Sequence, residues 1–364
     1  MIKELHIENF RCFGKSKLSG FSRINLIGGQ NNAGKTAFLE ALYLNNLPQV
    51  STLMQMRGIS IESIKALPEK AWDSLFLNYN NQLKLTIASF DENQVSTSLQ
   101  LSRGSQQELL GIINDSERSG KNELSDLFSN HSDSNFSLLN LSYQMGEQNI
   151  PISTLVAYSQ GIWAKANRLL DEINLHQIYF ISAAGKASSK YLAEQYDLCY
   201  VQGHSEKVKT AFNIIDPSIQ EVRTLTIGQS SIYLVRANEP AMPLAVFGDA
   251  MNRVADVILK LVNHQGGILL IDEVENGIHH AHQKDLWKWL FALTAEFNVQ
   301  IFATTHSLEM LTAFKEVLLE TDSEEAGAYL EFARHIKTHE IISIKRDMDN
   351  LDHALERHKG VRGE

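Results

Sequence analysis

Two glycines five residues apart, Gly29 and Gly34, followed by Lys35 and Thr36, give the stretch IGGQNNAGKTAFLEALY (residues 27–43) the pattern G-x-x-x-x-G-K-[ST]. The chemistry open to such a loop is the holding of a chain of phosphates. Its backbone N–H groups can turn inward around an oxyanion only where the chain bends past what a Cβ permits, so glycine is needed at both ends. Lys35 would then reach the β- and γ-phosphates and Thr36 would ligate Mg²⁺, while the following helix adds its positive N-terminus. Asn32, Ala33 and Ala37 fall within the same cradle. A chance loop between strand and helix is the alternative, and the flanks weigh against it. RINLIG (residues 23–28) reads as a short apolar strand, and Phe38, Ala41, Leu42 and Asn45 mark one face of a helix that Pro48 stops.

Two further segments carry chemistry. In GGILLIDEVENGIHH (residues 266–280), Ile268 to Ile271 form a buried strand whose carboxyl end delivers Asp272 and Glu273. Phosphoryl transfer needs one acid for hydrated Mg²⁺ and one group to orient water, so Asp272 is assigned to the metal and Glu273 to the water. A strand ending in a solvated acidic turn stays open as the other reading. In VQIFATTHSLEML (residues 299–311) a second apolar strand ends in Thr304, Thr305 and His306, and Ser307 reads as a helix N-cap without a full capping box. His306 is either a structural residue or an imidazole at the same sheet edge that senses the γ-phosphate.

The elements that must position these groups follow from periodicity. Residues 2–28 alternate in three short pieces and read as an antiparallel sheet edge leading into the phosphate loop. Period-two alternation recurs at 82–90, 95–103, 136–145 and 152–159, and the Ser-, Asn- and Asp-rich stretch 114–135 reads as a loop. From 205 onward the order is helix (205–214), two strands (220–227, 231–237), helix (249–264), strand (267–271), helix (280–297), strand (299–304) and helix (307–320). That alternation implies an α/β lobe with a partly parallel sheet. No heptads persist and no repeat is found.

Composition bounds the class. With 43% hydrophobic and 21% charged residues, the chain is long enough for a large core and two lobes. Two cysteines, Cys12 and Cys199, form no framework, and a reducing cytoplasm is the expected setting. Nothing approaches the roughly 18 uncharged apolar residues of a membrane span. A formal net charge of −10 argues against a surface that grips nucleic acid everywhere, although local DNA contact stays open.

The three segments, in this order and with a long stretch between the first and second, resemble the ATP-binding-cassette type of ATPase head found in the structural-maintenance, RecF and OLD (overcoming lysogenization defect) proteins. The opening LHIENFRCFGK resembles the start shared by those heads, and the resemblance implies that Arg11 lies near the nucleotide. LLIDEVENGIHHAHQ and ATTHSLEML are closer to OLD-like, AAA-type defence ATPases, and AVFGDAMNR (residues 245–253) is similar to that group's counterpart of the cassette signature. The implied fold is a P-loop head with a mixed sheet and an antiparallel β subdomain. Residues 1–49 and 201–364 would build the head, and 50–200 an inserted, partner-docking region. The implied cofactors are ATP and Mg²⁺. The implied assembly is a homodimer, extendable to a higher one, in which Gly248 and Asp249 of one subunit close over the ATP of the other. Phe247, Gly248, Asp249 and Ala250 stand where Leu-Ser-Gly-Gly is usual, so no serine hydroxyl is offered. Gly248 as a helix-start glycine with Asp249 as a simple N-cap is the competing reading. The Q-loop glutamine is unplaced, with Gln82 one of several candidates.

Full-length OLD proteins add a Toprim nuclease, for which the 58 residues after His306 leave no room. RDMDNLD (residues 346–352) imitates its paired aspartates, but Asp349 reads better as a helix N-cap. His279, His280 and His282 lack a cysteine or carboxylate to complete a zinc set. The leading expectation is an ATPase whose cycle opens and closes a homodimer and gates a separately encoded effector in anti-phage defence. A RecF-like DNA-repair ATPase and an ATP-binding scaffold with negligible turnover are the other readings.

Overall fold

The computed structural model describes residues 1–93, 96–118, 135–167, 175–321, 325–338 and 340–347. Its centre is a six-stranded sheet in the order β16-β15-β3-β14-β13-β9. The strands are β3 (Ile24–Gly29), β9 (Ile178–Ile181), β13 (Ile268–Ile271), β14 (Gln300–Thr304), β15 (Gly327–Arg334) and β16 (Ile341–Arg346). All neighbours are parallel except the edge pair β15–β16. Every residue of β3, β13 and β14 is buried, as expected for parallel strands covered on both faces.

The alternation of those strands divides the core in two. Leu26, Leu269, Ile271, Ile301 and Ala303 point to a helical layer. That layer is α5 (Ser189–Val201), α6 (Ser205–Ile215), α7 (Asp249–Asn263), α8 (His280–Phe297) and α9 (Leu308–Leu319). Ile27, Ile268, Leu270 and Phe302 point the other way, onto α1 (Lys35–Asn46) and a seven-stranded antiparallel sheet. There Phe38 of α1 meets Phe21, Phe302 and Phe332 in tilted and edge-on ring contacts.

The seven-stranded sheet runs β2-β1-β4-β5-β6-β7-β8. It joins β1 (Ile2–Phe10) and β2 (Phe13–Ser19) to β4 (Leu85–Asp91), β5 (Ser96–Arg103), β6 (Ser137–Met145), β7 (Gln148–Tyr158) and β8 (Gly161–Ala166). Between α1 and β4 lie α2 (Val50–Met54) and α3 (Ile61–Ala66), and α4 (Gln106–Arg118) follows β5. A small sheet of β10 (Ile219–Ile227), β11 (Gln229–Arg236) and β12 (Met242–Pro243) leads into α7.

Two expectations need correction. Residues 2–28 do not form one three-stranded edge: β1 and β2 form a hairpin, but β3 leaves it and pairs in parallel with β14 and β15. An all-buried strand needs cover on both faces, which the half-exposed hairpin cannot give it. The 114–135 loop reading begins inside α4, whose alternating face packs Leu109 on Leu138 and Val156, and its remainder, 119–134, lies outside the described residues. The RDMDNLD segment with Asp349 and the chain's final stretch also lie largely outside them. No helix of the described residues is long and apolar enough to cross a membrane.

Candidate functional site

The phosphate loop leaves the carboxyl end of β3, and its two motif glycines hold backbone angles that favour glycine. Gly29 has φ 127° and Gly34 φ 87°. A Cβ on Gly29 would run into the Phe332 carbonyl oxygen, and one on Gly34 would stand 3.0 Å from Cys12 Sγ. Lys35, 5% exposed, donates through Nζ to the carbonyl oxygens of Gly29 (2.7 Å) and Gln30 (3.0 Å). Burial pushes its ammonium down from an ordinary 10.5 to about 8, against the pull of Asp272, Glu275 and Glu273.

Because β14 lies between β3 and β13, the ends of all three strands are adjacent. Asp272, only 2% exposed, receives Thr36 Oγ1 at 3.0 and 3.1 Å on its two oxygens and Thr304 Oγ1 at 2.7 Å. Thr304 Oγ1 in turn accepts the Glu273 N–H at 2.8 Å. Glu273 sits in the left-handed region at φ 52°, and its Oε2 accepts from Asn276 Nδ2 at 2.8 Å. Glu275 Oε1 accepts the His306 N–H at 2.7 Å, tying the turn after β13 to the turn after β14.

One cleft of about 750 Å³ gathers the phosphate-loop residues Asn32, Ala33, Gly34, Lys35, Thr36 and Ala37 with Arg11, Glu273 and His306. Asp272 is buried just behind Thr36. Gly248 and Asp249 are not brought there. Gly248 caps α7 at φ 89° with no side-chain cap, and Asp249, 83% exposed, pairs with Lys186 at 2.6 Å on the border of a separate cavity of about 410 Å³. Asp249 is therefore not the N-cap of α7. Gln82 lies on an exposed turn, bonded to Asn81, and does not line the cleft.

Three residues that the sequence reading passed over hold this site together. Glu40, buried on α1, has Arg11 Nε 2.9 Å from Oε2 and accepts the Arg57 N–H at 2.8 Å. Burial raises its carboxyl above the usual value despite both arginines. Arg57, in the turn after α2, reaches Asp272 Oδ2 at 3.0 Å. Arg253 of α7, buried, donates to the Ser182 and Asp272 carbonyls, and burial draws its guanidinium below its ordinary value. Glu40 and Arg253 lie on helix faces that mix apolar and polar residues, so periodicity could have flagged each as a buried charge in search of a partner. Nothing local marks Arg57.

The donor set suits a hard divalent cation. Thr36 and Asp272 offer oxygen ligands side by side, and among the described residues the buried carboxylate has one cationic partner in reach of an ion-pair bond, Arg57. Arg11 Nη2 is buried without a hydrogen-bond partner at the wall of the same cleft, which suits an anionic ligand. Among the described residues, no group of three or more His, Cys, Asp or Glu could hold a metal alone, so His279, His280 and His282 form no such set.

A glycine-bent loop on a central parallel strand, with an acidic strand end two places across, defines a P-loop ATPase head of the ATP-binding-cassette type. Residues 73–312 match the family described as "AAA domain, putative AbiEii toxin, Type IV TA system", and the chain belongs to that family. It is 23% identical over 342 residues to an ATP/GTP phosphatase of Helicobacter pylori, spanning 88% of this chain and 90% of that protein. Over 139 residues it is 34% identical to an uncharacterized protein of Methanocaldococcus jannaschii, spanning 36% of this chain and 60% of that one. A solved Smc head bound to the C-winged helix domain of ScpA matches over 96% of this chain and 99% of its own, with a TM-score of 0.51 and 10% identity. At that identity the likeness is one of fold.

Proposed function

We propose that the chain binds ATP in the cleft and hydrolyses it to ADP and phosphate, using the cycle to open and close a homodimer. The observation that carries this reading is the meeting of Lys35, Thr36, Glu273 and His306 in one cleft, with Asp272 hydrogen-bonded to Thr36 behind it. Lys35 exchanges its carbonyl partners for β- and γ-phosphate oxygens. Thr36 and Asp272 would hold Mg²⁺, which would supply charge neutralisation on the phosphates. Glu273, oriented by Asn276, aligns the attacking water and receives its proton, and His306 faces the γ-phosphate. Arg11 and Arg57 supply further positive charge to the phosphate chain.

The position of Gly248 and Asp249 supports a dimer. Asp249 borders a different cavity from the phosphate loop of its own chain, with Gly248 just before it at the start of α7, so a role at ATP falls to the ATP of a second copy. Lys186, beside Asp249, offers there a charge that stands in for the missing signature serine.

The family's description, "AAA domain, putative AbiEii toxin, Type IV TA system", together with the OLD-like motifs, supports a head that gates a separately encoded effector in anti-phage defence. Turnover of wild type against Glu273→Gln tests the core of the proposal, because loss is expected only in the variant. Equal, near-zero rates would leave an ATP-binding scaffold. Sedimentation with and without ATP tests the dimer, and co-purification in ATP tests the effector. Salt-sensitive DNA binding in place of a protein partner would favour the RecF-like reading instead.

A further inference from the structure

Gly28 stands beside the two motif glycines without belonging to the motif, and the fold gives a separate reason for it. On β15, Tyr329 pairs with Leu26 of β3, and its ring leans along β3 toward the phosphate loop. A Cβ on Gly28 would run into the Tyr329 hydroxyl. Tyr329 is 1% exposed, and its hydroxyl has no hydrogen-bond partner among the described residues. Burial pushes the phenol's ionisation up, so the hydroxyl keeps its proton and stays a donor. A phenylalanine would fill the same space without leaving a buried hydroxyl unbonded, a loss that proteins rarely carry for packing alone.

The Gly29 carbonyl, one residue further on, is an acceptor whose donor must leave. Lys35 Nζ holds it at 2.7 Å and the Gln30 carbonyl at 3.0 Å, and that ammonium goes to the phosphates when a triphosphate binds. Gln30 is exposed, so its carbonyl is left to water, whereas Gly29 is buried. We infer that Tyr329 is a positioning residue for the phosphate loop, whose hydroxyl takes over the Gly29 carbonyl that Lys35 releases and so keeps the loaded loop in its bend. With Lys35 on the carbonyl, the hydroxyl has no partner; with Lys35 on phosphate, it supplies the missing bond. The exchange lowers the cost of drawing the lysine away, so it acts on affinity for the phosphate chain and is indifferent to the base.

The inference rests on the nucleotide reading of the phosphate loop, and one arm of its test needs no nucleotide. Thermal melting without ligand is compared for wild type, Tyr329→Phe, Lys35→Ala and the double variant. Tyr329→Phe should melt higher than wild type, because it removes an unbonded buried hydroxyl. Lys35→Ala frees the Gly29 carbonyl from the start, so adding Tyr329→Phe to it should lower the melting temperature instead. A ring that only packs cannot give that reversal of sign. In calorimetry, Tyr329→Phe should weaken ATP and inorganic tripolyphosphate about tenfold each. Equal melting shifts in both backgrounds, a lower melting temperature for Tyr329→Phe alone, or unchanged affinity for both ligands overturns the inference. Wild type that binds neither ligand would end the nucleotide reading, and the melting temperatures would still decide whether the hydroxyl and Lys35 share the Gly29 carbonyl.

Discussion

Arg253 donates through Nη2 to the carbonyl oxygen of Asp272 at 2.5 Å, so a residue of α7 holds the very strand end that carries the acidic pair. Its Nη1 donates to the Ser182 carbonyl at 2.6 Å, at the end of neighbouring β9. A buried guanidinium bound to carbonyls and not to a carboxylate is costly, and it persists here as a strut between the helix that starts at Gly248 and the Asp272–Glu273 turn.

Arg253→Met keeps the stem's packing and removes the strut. It leaves the Ser182 and Asp272 carbonyls without this donor, at a cost of about 2–4 kcal/mol to stability in urea unfolding. Turnover should fall further than ATP affinity, because Glu273 loses its fixed backbone while the phosphate loop does not. Affinity falling in step with turnover would show that α7 supports the whole cleft and not the acidic turn.

Lys35 makes the free protein pH-sensitive above neutrality. Its value of about 8 lies below the 10.5 of an exposed lysine, so the folded state has lost a proton that the unfolded state keeps between those limits. Stability from this group is therefore fully present above 10.5 and is lost as pH falls through about 8. A triphosphate reverses the preference and needs the ammonium form. Binding near pH 9 should then take up a proton, visible as a buffer-dependent heat in calorimetry, with affinity falling by up to about tenfold per pH unit. Lys35→Arg should flatten that profile.

Much of this site was legible because its parts are local. The phosphate loop, the apolar run before Asp272 and the run before His306 each announce a strand end in a few consecutive residues, and helices 249–263 and 280–297 emerge within a residue of their expected bounds. What stayed hidden was pairing across distance. Arg57 meets Asp272 across 215 residues, and no periodicity encodes that. β9, with four residues, is too short to show a period, and β15 shows no clean alternation, because Ala328, Tyr329 and Leu330 are buried in succession. Nothing near β3 in the sequence points to its true partners, β14 and β15, which lie some three hundred residues away.

Glu40 is predicted to cost stability while serving the site. Burial raises its carboxyl above the ordinary 4.5, so its favourable contribution is present below that value and is lost as pH rises through the raised one. Glu40→Gln should leave the melting temperature at neutral pH unchanged or higher. Without the charge that faces Arg11 Nε, Arg11 loses its counter-ion, while the glutamine amide oxygen still accepts the Arg57 N–H, and turnover should drop by roughly tenfold. A lower melting temperature with intact turnover would make Glu40 a purely structural ion-pair partner.

Gly34→Ala isolates the shape of the cradle from its charge. With φ 87° at this position, an added Cβ is strained in itself, and it would also press on Cys12 Sγ and Ile341 Cδ1, each 3.0 Å away. The two contacts belong to the β1–β2 turn and to β16, so the loop cannot shift toward either without disturbing the sheet beneath. The expected cost is about 1–3 kcal/mol in stability. Affinity for tripolyphosphate should fall with it, because the N–H groups that face the anion move while Lys35 keeps its ammonium. A Gly34→Ala protein that binds tripolyphosphate like wild type would mean that the lysine alone, and not the bent backbone, captures the phosphates.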